Sequence, residues 1–174
     1  MKKLLLAVAI TLSLAGCGHV SVEDYAANQP QFDPQKFFNG SLSAEGIVLS
    51  RSGELQRYFT ADIEATWHKS NGSLKETFYW NDGERQQRHW KFNRREDGTW
   101  LGTAEDVEGM AEMRFSGNAI HMRYPLQLSM GGRTITLTMD DWLFQVSDNV
   151  IINKTRISKF GFRLGDVILT IRKP

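Results

Sequence analysis

The sequence predicts an all-β domain, an antiparallel up-and-down barrel or strongly curled half-barrel of about 8–10 strands with one short helix before it. Three observations predict it. From Ser41 onward apolar residues recur at every second position, as in Phe59, Ala61, Ile63, Ala65 and Trp67, or Ile120, Met122, Tyr124, Leu126 and Leu128. Such one-sided alternation means one buried face per strand. Glycine-bearing turns punctuate these runs closely enough for sequential hairpins, and no stretch after Ser41 carries the apolar period of a helix.

The chain opens on Met1-Lys2-Lys3 and an apolar run from Leu4 to Leu14, broken only by Thr11 and Ser13. That run is well short of the roughly 20 residues that span a bilayer. A charged start, an apolar middle and small residues before a cut make it a secretory signal. Leu14-Ala15-Gly16-Cys17 resembles the lipobox of bacterial lipoproteins at every position. The resemblance implies removal of residues 1–16, lipidation of Cys17 and a membrane partner held through N-terminal acyl chains. Two or three chains, at roughly 0.8 kcal/mol per buried methylene, hold far more firmly than a single myristoyl chain. Gly18 in place of Asp implies, by the same resemblance, the periplasmic face of the outer membrane.

Cys17 is the only cysteine. Once it is acylated, disulfides, cysteine-ligated zinc and cysteine nucleophiles are excluded. With 21 basic against 20 acidic residues and two lysines in the signal, the remaining chain is almost neutral, so no nucleic-acid partner is expected. Residues 17–31 are polar, contain Pro30 and lack periodicity; they read as a lipidated, flexible tether. Residues 32–174 form the single barrel domain. Phe32 to Gly40 is its short helix, with Asp33 as cap, Pro34 at the first helical position, Phe32 stapled onto Phe37 and Gly40 as left-handed stop. Such a plug closes one end of small barrels.

Ten strand segments follow, near 42–49, 55–67, 73–80, 84–94, 99–106, 110–116, 119–129, 134–146, 150–158 and 162–172. Turn chemistry sets their register. Asn81-Asp82-Gly83, as a three-residue loop with Gly83 left-handed, pairs Phe78 with Gln86, Glu76 with Arg88 and Leu74 with Trp90. A two-residue loop breaks the apolar match with Trp90, so face consistency decides. Gly117-Asn118 pairs Phe115 with Ile120 and Met113 with Met122. Gly131-Gly132 pairs Leu128 with Ile135, Leu126 with Leu137, Tyr124 with Met139 and Met122 with Asp141. The three inner faces agree, and closure removes exposed edges, so a lipocalin-like barrel is expected.

This register places Glu76, Arg88 and Asp141 on apolar faces. The plainer reading is a satisfied Glu76–Arg88 ion pair across the hairpin, near a mouth that water reaches. The functional reading is a polar end for an apolar pocket, with Trp90, Phe78 and Tyr124 among its walls. The other large rings, Trp67, Trp80, Trp100, Trp142, Phe59, Phe92, Phe115 and Phe144, either fill the core or line a cavity. Glu105-Asp106-Val107-Glu108 and Asp140-Asp141 lack the calcium-loop ligand series and read as solvated turn charges. His19, His68, His89 and His121 lack metal-ligand spacing. No phosphate loop and no nucleophile elbow is present. Neither catalytic residue, metal nor cofactor is assigned.

The chain resembles an uncharacterised family of proteobacterial lipoproteins with a domain of unknown function, from about Phe32 to the C-terminus. The resemblance rests on Phe37-Phe38-Asn39-Gly40, Arg51-Ser52-Gly53, Glu76-Thr77-Phe78, Asp82-Gly83-Glu84, Arg88-His89-Trp90, Gly102-Thr103-Ala104-Glu105-Asp106-Val107, Gly117-Asn118-Ala119, Asp141-Trp142 and Lys159-Phe160-Gly161. It implies no activity. Three functions compete: a non-enzymatic, membrane-tethered barrel holding a lipid-like hydrophobic molecule, the preferred one; an envelope assembly factor acting through an exposed surface, with a filled interior; and a lipid isomerase or hydrolase.

Overall fold

The computed structural model describes residues 20–174; the signal segment, Cys17 and His19 lie outside the described residues. Ten strands run in chain order: β1 (Gly40–Ser50), β2 (Leu55–His68), β3 (Asn71–Trp80), β4 (Arg85–Arg94), β5 (Trp100–Thr103), β6 (Ala111–Ser116), β7 (Ala119–Met130), β8 (Arg133–Ser147), β9 (Val150–Lys159) and β10 (Phe162–Arg172). Each pairs antiparallel with its sequence neighbours, and β10 returns to β1, closing the barrel. Closure satisfies the ladder groups that an open edge would leave unpaired.

The register is the one the turns dictate. Glu76 faces Arg88 and Leu74 faces Trp90. Phe115 faces Ile120 and Met113 faces Met122. Tyr124 faces Met139 and Met122 faces Asp141. Gly83, at φ +86°, allows Trp80 N–H to donate to the Glu84 carbonyl across the turn. Phe59, Ala61, Ile63, Ala65 and Trp67 are all buried on the inner face of β2.

The strand polarity gives the barrel two different ends. One carries the turns β2–β3, β4–β5, β6–β7 and β8–β9 and is closed by the segment Phe32–Asn39. That segment contains one helical turn, α1 (Pro34–Phe37), capped by Asp33, which accepts from Gln35 N–H at 2.9 Å. Phe32 N–H donates to the Gly117 carbonyl at 2.8 Å, and Lys173 Nζ donates to the Lys36 carbonyl at 2.6 Å. These bonds tie the plug to a turn and to the end of β10. Its own Phe32, Phe37 and Phe38 are buried. The opposite end carries the β1–β2, β3–β4, β5–β6, β7–β8 and β9–β10 connections and is open. Exposed Phe160 and Phe162 stand on that rim.

Three expectations are corrected. Residues 20–31 are not a free tether: Val22–Tyr25 forms a 3-10 turn against β6 and β7. Tyr25 meets Trp142 and Phe144 edge-on at ring-centroid distances of 5.8 and 5.2 Å. Those two rings therefore lie outside the barrel, since Asp141 and Leu143 take the inward positions of β8, and Tyr25 covers them as a second apolar layer. Finally β5 stops at Thr103, because residues 104–106 leave the sheet and turn Asp106 toward the lumen.

Candidate functional site

The lumen holds a cavity of about 670 Å³, within the range of small-molecule sites. Its floor is Phe38, Trp67 and Phe92, beside the plug; its rim is Arg57, Trp80 and Glu84. The walls are chiefly apolar, with Met113, Met122 and Met139 contributing pliable surface. Trp90 meets Tyr124 edge-on at 5.1 Å, and Phe59 meets Phe78 at 5.4 Å. At the rim the Arg57 guanidinium lies 4.0 Å above the Trp80 ring and pairs with Asp82 at 2.7 Å and Glu84 at 2.8 Å.

One polar belt interrupts these walls at mid-depth. The pleat brings it inward: Glu76 shares a face with Leu74 and Phe78, and Arg88 with Gln86 and Trp90. Glu76, Arg88, Asp141, Trp90, Phe78 and Tyr124, the six residues singled out from sequence, all line the cavity. Their pairing differs from the expected one. Arg88 forms no ion pair with Glu76; its Nε and Nη2 grip Asp106, with contacts of 2.7 to 3.1 Å. A fork-on-carboxylate geometry of this kind outcompetes a single cross-strand contact. Glu76 Oε2 is buried without a hydrogen-bond partner. Asp141 accepts from the Thr155 hydroxyl, and Tyr124 stands beside it.

Electrostatics follow from this arrangement. Burial pushes the Glu76 carboxyl up to about 7; Arg88 opposes the shift, while Asp106 and Asp141 reinforce it. Burial likewise raises Asp141, against the hydrogen bond from Thr155. Burial and the Asp141 charge raise the Tyr124 hydroxyl well above its usual range. Among the described residues no group of His, Cys, Asp and Glu is arranged to hold a metal.

Asp106, Asn153 and Thr155 are the belt members that were not foreseen. Asp106 sits in an acidic run that reads as solvated turn charge, yet its neighbour Val107 is buried and bridges to Leu126. The signal for the other two was legible: Ile151, Asn153, Thr155 and Ile157 share the inner face of β9.

A closed ten-strand meander around a ligand-sized lumen defines a lipocalin-like barrel. A family model described as "Protein of unknown function (DUF3833)" matches residues 11–173, and the chain belongs to that family. No curated protein matches it. Among solved structures it is similar to the S-type phycobiliprotein lyase CPES from Guillardia theta. The TM-score is 0.57 at 9% identity, covering 78% of this chain and 88% of that one. At that identity the likeness is one of fold. It corrects the expectation of a protein without enzymatic activity, because the same barrel serves a lyase and so carries no exclusion of catalysis.

Proposed function

We propose that this protein holds a hydrophobic small molecule in its lumen, with one polar end of that molecule at the Glu76–Arg88–Asp141 belt. The observation that carries the reading is the cavity of about 670 Å³, whose walls are chiefly apolar with that belt set among them. A long or flat apolar molecule gains roughly 25 cal/mol per Å² of surface removed from water there, and the belt fixes its orientation. Similarity to a phycobiliprotein lyase supports a barrel that engages another molecule. An envelope factor acting only through its surface requires a filled interior, and the open lumen counts against it.

The proposal extends to location: acyl chains on Cys17 hold the barrel at the periplasmic face of the outer membrane, where lipid-like ligands are close at hand. Mass spectrometry of the protein purified from its own membrane should find an apolar molecule in near-stoichiometric amount. A lumen that carries none and also refuses an apolar fluorescent dye would sink the reading. For the anchor, Cys17→Ser should move the protein from the membrane fraction to the soluble periplasm.

A further inference from the structure

The polar belt sets three carboxyl groups, those of Glu76, Asp106 and Asp141, against one guanidinium, and that composition says what kind of head group it receives. Glu76, Asp106 and Asp141 face one another across the lumen with a single guanidinium, Arg88, between them. Arg88 is committed to Asp106 through both Nε and Nη2. Asp141 has the Thr155 hydroxyl. Among the described residues lining the cavity the other cation is Arg57, held at the rim by Asp82 and Glu84. What remains is Glu76, whose Oε2 is buried and accepts no hydrogen bond. A buried acceptor left empty costs the desolvation of that atom, and a donor supplied by a ligand recovers it.

Resting on the reading of the lumen as a ligand pocket, we propose that the bound molecule presents a hydrogen-bond donor to Glu76. An amine, a hydroxyl or an N–H fits; a carboxylate or phosphate does not. An anionic head would meet two further carboxylates at close quarters and would have to break the Arg88–Asp106 pair to find a cation. A cationic or neutral donor leaves that pair intact and gives the Glu76 carboxyl a hydrogen-bond partner.

The groups facing Glu76 are Arg88 from β4, Asp106 from the β5–β6 connection, Tyr124 from β7 and Asp141 from β8; the cross-strand neighbour on β2, Ile63, is apolar. Because burial holds Glu76 near 7, a cationic donor draws the carboxyl into its ionised form, and its binding strengthens as pH rises through neutrality.

The test titrates the full chain with hexadecylamine, hexadecanol and hexadecanoate, delivered from a cyclodextrin carrier and followed by quenching of the lumen tryptophans. At pH 7.5 the amine should bind at least about tenfold more tightly than the acid, with the alcohol between them. Glu76→Gln should erase most of that amine preference and flatten its pH dependence between 6 and 8. Equal or tighter binding of hexadecanoate, or an unaltered amine preference in Glu76→Gln, overturns the head-group assignment and leaves the pocket standing. Failure of all three probes to bind takes the pocket reading down with it. Far-ultraviolet circular dichroism of the variant establishes that it is folded.

Discussion

The two ends of the barrel are woven from the same strands but packed to opposite purposes. At the plugged end Trp67 lies between Phe38, Phe92 and Trp100, at ring-centroid distances of 5.8, 5.1 and 4.8 Å. Gly72 lets the Trp67 ring lie on the backbone of β3, where any Cβ would come within 2.5 Å of it. At the open end Phe78 and Trp80 are only part-buried, and the space between walls is not filled by side chains. Close packing there would add stability and abolish the cavity. The fold is therefore secured at one end so that the other can stay hollow, and the polar belt marks the border between the two regimes.

The comparison breaks first at Trp67. Trp67→Ala removes the ring on which the plug, β4 and β5 converge, and should cost about 3–5 kcal/mol, read as a lowered denaturant midpoint. A loss below about 1 kcal/mol would mean that the plugged end is not the stabilising one.

At the border, Arg88→Met strands Asp106 beside Glu76 and Asp141. Removing one partner of a buried pair costs about 3–5 kcal/mol when the site is dry. Here the Arg88 and Asp106 side chains are 14% and 24% exposed, so about 3 kcal/mol or less is expected. Asp106→Asn should reproduce much of that loss, whereas a dominant Glu76–Arg88 pair would make Asp106→Asn nearly silent.

Glu76→Gln acts in the other direction. The folded-state value near 7 lies above the ordinary 4.5, so the folded protein keeps a proton that the unfolded chain has released. Stability therefore falls as pH rises from about 4.5 to about 7 and is level above it. The neutral amide has no such penalty. Near pH 8 the variant should be more stable than the parent by about 1–3 kcal/mol, a range discounted because Glu76 is part-buried, and near pH 4 the difference should vanish. Denaturant midpoints across this pH range check the sign; a variant less stable at pH 8 would show that Glu76 is paired after all.

Most of the fold could be read from period-two alternation and turn chemistry, because both are local. Phe59 to Trp67 declare their face without any partner, and Gly83, Gly117 and Gly131-Gly132 fix the hairpins. The belt residues on long strands came with that register: Glu76, Arg88 and Asp141 are inward because their neighbours are. Asp106 escaped because it sits on an irregular connection, where alternation carries no information, and Arg88 chose it by reach rather than by register. Trp142 and Phe144 escaped for a different reason. An outer apolar pair looks like core until the segment that covers it, here Tyr25, is known to dock.

The smallest effect is expected at the rim. Glu84 and Asp82 both hold Arg57 over the Trp80 ring, but the Glu84 side chain is 55% exposed, and exposed pairs contribute at most about 1 kcal/mol. Glu84→Gln should leave the denaturant midpoint almost unchanged, since Asp82 still holds Arg57. The same substitution loosens one of two restraints on the guanidinium at the mouth, so exchange of an apolar dye between lumen and solvent should quicken by about two- to fivefold while its equilibrium affinity barely moves. A large loss of stability would make the rim part of the scaffold, and the division of the barrel into a packed end and an adaptable end would have to be redrawn at Trp80. Unchanged exchange together with unchanged stability would leave Arg57 a bystander, with the mouth standing open whatever its charges.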